Sequence, residues 1–150
     1  MQQFEFAVGS DTTHADVLYV EDRIYAHSVA ATGVDGGAWL AVRLHDADSR
    51  LVAALFGSTW GGCFEIRQFW VDEPLRGRGV GSALLRTAED EARRRGCWHS
   101  LLTTFDFQAL AFYRKRGFKV LAVVDDYPPG HANHLLRKLL RAVPDQQAAD

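Results

Sequence analysis

Residues 76–81 read Arg76-Gly77-Arg78-Gly79-Val80-Gly81 and stand directly before a stretch with helical periodicity. Glycine lets a backbone come close to a ligand with its N–H groups turned outward, and the positive end of a following helix adds to the attraction for an anion. Long side chains at Arg76 and Arg78 bring charge that reaches phosphates, so the turn suits a pyrophosphate. It lacks the further glycine of a GxGxxG loop and the lysine of a GxxxxGK[ST] loop, which disfavours dinucleotides and ATP. The same residues can also serve a tight strand-to-helix connection in which the glycines only permit packing.

Other chemistry-bearing residues are scattered. Cys63 and Cys97 have no CxxC or Cys/His ligand spacing, and His131 and His134 stand three apart, which on a strand sends them to opposite faces. No metal is expected, and the two thiols read as buried. A net charge of −2 and a pI of about 6.3 provide no basic field for a nucleic-acid backbone. No apolar stretch reaches the ~18 residues of a membrane span, and Met1-Gln2-Gln3-Phe4-Glu5 lacks the basic-then-apolar layout of a signal peptide, so neither a membrane nor export is expected and the chain is placed in the cytoplasm.

The elements that must position the turn follow from periodicity. Alternation over 4–8 predicts an opening strand, and apolar Val17, Leu18, Ile24, Tyr25 and Val29 predict a helix over about 15–31, expected as a lid over an acceptor cleft. Runs at 39–44, 50–56 and 64–71, separated by a polar turn and by Gly61-Gly62, predict a three-strand antiparallel meander stopped at Pro74. Leu84, Leu85, Ala88 and Ala92 mark the buried face of a helix closed by Gly96. Strands at 100–105, 119–124 and 133–138 and a short helix over 108–116 complete one mixed α/β domain of residues 1–140. Residues 141–150 offer nothing to bury and are expected to be disordered.

On these motifs the chain resembles the GNAT superfamily of N-acetyltransferases. Arg76, Gly79 and Gly81 fit its acyl-CoA signature, Phe69-Trp70-Val71-Asp72-Glu73 looks like its central strand and exit, and Ala111-Phe112-Tyr113-Arg114-Lys115-Arg116-Gly117-Phe118 looks like its tyrosine segment. Thr104-Phe105-Asp106-Phe107-Gln108-Ala109 with Asp126-Tyr127-Pro128-Pro129-Gly130-His131 is similar to a group of small bacterial acetyltransferases of largely unassigned substrate. The resemblance implies one strongly curved mixed sheet flanked by helices and splayed between the strands ending at Val71 and near Phe105. It implies acetyl-CoA as cosubstrate, its pantetheine arm paired with the backbone of Phe69, Trp70 and Val71 and its pyrophosphate held by Gly77, Arg78, Gly79, Val80, Gly81 and Ser82. It also implies a homodimer.

Transfer of acetyl to an amine with a pKa of ~10.4 requires loss of a proton. Glu65 matches the position of a base glutamate in some relatives; flanked by Phe64 and Ile66, its carboxyl is expected to be desolvated, although it can equally be an ordinary polar strand residue beside a water relay. Tyr113 matches the general acid for the departing thiolate, or packs against Phe107, Phe112 and Phe118. Many relatives carry an asparagine seven residues before the tyrosine. Here that position is Asp106, an acceptor only, and Gln108 is the candidate to supply the missing amide. Asp126 and His131 can reach the cleft or simply form a turn, and Trp60 and Trp70 read as core. The expected activity is direct acetyl transfer to a primary amine, small-molecule or protein. A non-catalytic acyl-CoA sensor is the alternative.

Overall fold

Thr13 opens the first helix, α1 (His14–Thr32), because its Oγ1 accepts the N–H of Asp16 at 3.1 Å, and Gly33 closes it with φ 70° and an N–H donated to Val29 O at 2.8 Å. The computed structural model describes residues 4–141, which divide after Asp35 into two compact units. In the first, α1 forms where its periodicity placed it, yet none of its residues is buried. The opening strand expected over 4–8 does not form: Phe4, Phe6 and Val8 are exposed and unpaired in any ladder. Alternation alone leaves backbone N–H and C=O groups unsatisfied, so without a neighbouring strand edge it has nothing to stabilise it.

The second unit is a six-stranded mixed sheet, not closed, in the order β1-β2-β3-β4-β6-β5. Its strands are β1 (Ala38–His45), β2 (Leu51–Trp60), β3 (Cys63–Val71), β4 (His99–Phe105), β5 (Lys119–Asp125) and β6 (Ala132–Leu139). The meander β1-β2-β3 is antiparallel as expected; its first turn is held by Asp46, whose carboxylate accepts from Asp48 N, Arg50 N and Arg50 Nε at 2.8–3.0 Å.

Helix α2 (Val80–Arg94) buries Leu84, Leu85, Ala88 and Ala92, the last three in one core cluster with Leu40, Leu55, Phe64 and Ile66. Glu89 is buried on the same helix, where Lys138 Nζ of β6 meets both its oxygens at 2.7 and 2.8 Å and Arg93 lies 3.7 Å away. Removing one partner of such a pair strands a buried charge, at a cost of about 3–5 kcal/mol. The short helix α3 (Leu110–Lys115) returns Tyr113 to the core.

Only β3 and β4 run parallel, and they pair over three positions, Cys63–His99, Phe64–Ser100 and Glu65–Leu101. Beyond Glu65 they separate, giving the expected splay. The register of β2 on β3 skips Arg67, with Gly57 opposite Ile66 and Phe56 opposite Gln68, so β3 carries a bulge where it leaves β4. Gly57 makes that bulge possible, because a Cβ there would lie 2.2 Å from Glu65 O and 2.9 Å from the Phe64 ring.

Two substitutions test this frame. In urea denaturation Gly57→Ala lowers stability by about 2 kcal/mol, the cost of forcing apart a packed core. Lys138→Ala lowers it by about 3 kcal/mol or more.

Candidate active site

The turn before α2 has the conformation its glycines allow. Gly77 and Gly79 have φ of 70° and 84°, and a Cβ at either would meet nothing within 4 Å, so glycine is present for backbone shape and not for want of room. The helical ladder starts with Ala83 N–H to Gly79 O at 3.0 Å, leaving the preceding N–H groups at the mouth of α2 without intrahelical acceptors. No acidic residue occupies the first turn. Gly81 is different: a Cβ would sit 3.4 Å from the Phe112 ring and 3.7 Å from Val71, so this glycine lets α2, α3 and β3 converge.

The two arginines of the turn are not equivalent. Arg76 bends back, its Nε donating to Val71 O at 2.9 Å and its guanidinium lying 4.7 Å from the Trp70 ring. Trp70 is 60% exposed, with Nε1 donating to Asp72 Oδ1 at 2.7 Å, which corrects its reading as core. It points away from the inner face, which takes Phe69 and Val71 on either side of it. Trp60 is half-buried.

A residue that sequence reasoning passed over stands beside the turn. Arg116 donates to the Ser82 hydroxyl from Nε at 3.1 Å and also from Nη2, donates to Phe112 O at 3.0 Å, and stacks 3.6 Å from the Phe112 ring centre. It borders a cleft of about 400 Å³ along α2, together with Ser82, Arg86, Glu89 and Lys138. The basic run Arg114-Lys115-Arg116 was the available signal; which of the three turns inward depends on the helix phase.

In the gap between β3 and β4 lies a second cleft, of about 290 Å³, walled by Glu65, Arg67, Leu101, Thr103 and Leu135. Glu65 is on this wall, but its desolvation does not occur. Phe64 and Ile66 turn to the opposite, buried face, and the Glu65 carboxylate is 56% exposed with Arg67 Nη2 at 3.9 Å. Cys63, half-buried beside it, has its thiol pushed up to about 11 by burial and by the Glu65 charge; Cys97 is buried and also raised.

Tyr113 is 6% exposed, and burial pushes its phenol up to about 12. Its ring meets Phe69 of β3 at 6.2 Å, Phe112 at 5.2 Å and Phe118 at 5.5 Å; Phe107, expected among its neighbours, instead stacks on Phe105 at 5.2 Å. Gln108 precedes α3 rather than opening it. Its Oε1 accepts from Phe105 N at 3.1 Å, which leaves the amide NH2 as the donor end. Asp126 forms a turn, with φ 53° and its Oδ1 accepting from Gly130 N at 3.4 Å. His131 and Asp106 come together, Nδ1 to Oδ1, at 3.0 Å. Among the described residues no cluster of three or more His, Cys, Asp or Glu could hold a metal, and no helix is long and apolar enough to cross a membrane.

Residues 10–118 match the acetyltransferase (GNAT) family. The chain belongs to that family. It is 42% identical over 91 residues to the blasticidin-S acetyltransferase of Streptomyces morookaense, covering 60% of this chain and 67% of that protein. With an acetyltransferase of Agrobacterium fabrum it shares 29% over 119 residues, 79% of this chain and 87% of the other. A solved acetyltransferase from Bacillus cereus superposes with a TM-score of 0.73 at 26% identity, over 89% of this chain and 97% of that one. This GNAT protein is accordingly an acyl-CoA-dependent N-acetyltransferase.

The phenol provides a direct check. The ordinary tyrosine value is near 10 and the folded value of Tyr113 is higher, so its contribution to stability is complete below about pH 10 and is lost as pH rises through 12. Ultraviolet titration of the folded protein shows a tyrosine ionisation about two pH units late, and Tyr113→Phe removes that step.

Proposed function

We propose that this GNAT enzyme transfers acetyl from acetyl-CoA to a primary amine by direct attack within a ternary complex. The observation that carries the reading is the open edge of β3. Beyond Glu65 that edge has no strand partner among the described residues, and it leads to a glycine turn whose N–H groups are unclaimed by the helix. An extended arm that hydrogen-bonds along Phe69, Trp70 and Val71 would deliver a pyrophosphate to residues 77–82, with Arg78 and Arg116 as nearby cations and the Gln108 amide as a further donor.

The amine nitrogen attacks the thioester carbonyl carbon, the C–S bond breaks with its electron pair moving to sulfur, and one proton leaves the nitrogen. Negative charge developing on the carbonyl oxygen is met by a backbone N–H near Trp70 or Val71. The proton leaves to a base or to water; Glu65 on the wall of the β3–β4 gap is one candidate base. Tyr113 is the residue proposed to serve the departing sulfur. A free thiol titrates near ~8.5, so complete transfer from a phenol at about 12 is uphill by about 5 kcal/mol. Tyr113 therefore acts as a hydrogen-bond donor while the bond breaks, and the thiolate takes its proton from solvent. With both thiols raised by burial, a cysteine thiolate is scarce at neutral pH, which supports direct attack over a covalent acyl-enzyme.

Calorimetry and thiol release test this together. Acetyl-CoA binds the wild type, and Gly79→Asp, which puts a carboxylate in the turn, weakens it at least about 100-fold by like-charge repulsion. Amine-dependent thiol release is screened from blasticidin S outward through polyamines, aminoglycosides and peptides, and Tyr113→Phe lowers kcat by about 10- to 100-fold. Absence of acetyl-CoA binding overturns the reading; binding without release for any amine replaces it with a sensor.

A further inference from the structure

We infer that the Asp106–His131 pair is the base that takes the proton from the acceptor amine, in a subsite bordered by Phe107 and Tyr127. The inference rests on the acetyl-transfer reading and assigns a step within it. Asp106 is fixed from three sides: its Oδ1 meets His131 Nδ1 at 3.0 Å, its Oδ2 accepts the Ala132 N–H at 3.2 Å, and its own N–H donates to Ala132 O at 3.0 Å. Facing a carboxylate that only accepts, a neutral imidazole would carry its hydrogen on Nδ1 and leave the Nε2 lone pair for the amine, the arrangement of a base held by an orienting acid. The imidazole backbone is fixed as well, with His131 N–H donating to Pro128 O at 2.9 Å and His131 O accepting from Tyr127 N at 3.2 Å.

The surroundings suit an ammonium-bearing acceptor. The Phe107 ring meets the imidazole edge-on at 4.9 Å, while Phe105 bridges Phe107 and Tyr127 at 5.2 and 5.1 Å. Phe107 and Tyr127 are more than half exposed and the His131 side chain is 48% exposed, so the cluster is open to a solute. Aromatic faces beside a carboxylate attract a cationic amine. The other carboxylates of the hairpin are Asp125, at the end of β5, and Asp126, which is turned to its own loop.

Height along the sheet favours this pair over Glu65. From the last parallel pair, Glu65–Leu101, four residues up β3 reach Phe69, and one of them is the bulged Arg67. The same climb along β4 reaches Thr104 or Phe105, immediately before Asp106. Glu65 stands roughly 10 Å below Phe69 along β3 at ~3.3 Å per residue, at the closed end of the gap, whereas the pair follows the end of β4 at its open end. The balance is simple: the amine nitrogen forms its bond to the carbonyl carbon, its proton passes to Nε2, and sulfur leaves with the C–S electron pair.

The test uses the full chain, saturating acetyl-CoA and the best amine found by thiol release. His131→Gln and His131→Ala are expected to lower kcat about 100-fold or more while calorimetric affinity for acetyl-CoA stays within about twofold. Millimolar imidazole restores activity to His131→Ala but not to His131→Gln, a rescue that a purely structural tie would not show. Asp106→Asn lowers kcat by about tenfold with KM little changed, in protein whose thermal melt shows it folded. A kcat within about threefold of wild type in His131→Gln, no imidazole rescue of His131→Ala, or a larger loss in Glu65→Gln than in His131→Gln overturns the assignment while leaving acetyl transfer intact. A wild type that releases no thiol with any amine overturns both.

Discussion

Everything in the second unit is arranged around a parallel pairing that stops. Two parallel strands that remained in register would bury their facing backbone groups and leave no room for a ligand. Here β3 and β4 hold together over three residue pairs, and the bulge at Arg67 then carries β3 away. The unpaired edge is a liability unless something comes to pair with it, and an extended arm of acyl-CoA has the length and the amides to do so. The break is stabilised from outside the gap. Gly57 gives the bulged strand room, and α2 is anchored across the meander by Arg95, which donates to Trp39 O at 2.9 Å and reaches Glu91 at 2.7 Å.

The aromatic core connects this break to the chemistry. Phe69 is on the diverging part of β3, and its ring is in contact with Phe112 at 5.8 Å and with Tyr113 at 6.2 Å. Through Gly81 the same Phe112 touches the first turn of α2. A single packed cluster thus sets the spacing between the strand edge, the anion turn and the phenol. Burial raises the Tyr113 phenol above the usual tyrosine value, so in the proposed mechanism it would donate a hydrogen bond rather than a whole proton.

The parts of this fold legible from sequence were those decided by neighbours a few residues apart. Leu84, Leu85, Ala88 and Ala92 announce the buried face of α2, and Gly61-Gly62 and Gly96 mark where elements end. What stayed hidden depends on partners far along the chain: Arg116 on Ser82 is 34 residues distant, Lys138 on Glu89 is 49, and His131 on Asp106 is 25. The desolvation expected for Glu65 failed for a related reason. Its apolar neighbours in sequence lie on the other face of the strand, so adjacency implied a burial that alternation forbids. The alternating segment 4–8 failed in the opposite way, with the right local pattern and no ladder to join.

Asp106 does more than orient an imidazole. By holding Ala132 through both its backbone N–H and its carboxylate, it carries the β4–β6 pairing one step past Phe105–Asn133 and ties the turn after β4 to the hairpin between β5 and β6. For anyone grafting the 126–131 hairpin from one GNAT protein into another, position 106 belongs to the graft. A donor loop installed over a residue that cannot accept from its first strand amide would arrive with the right sequence and the wrong seat.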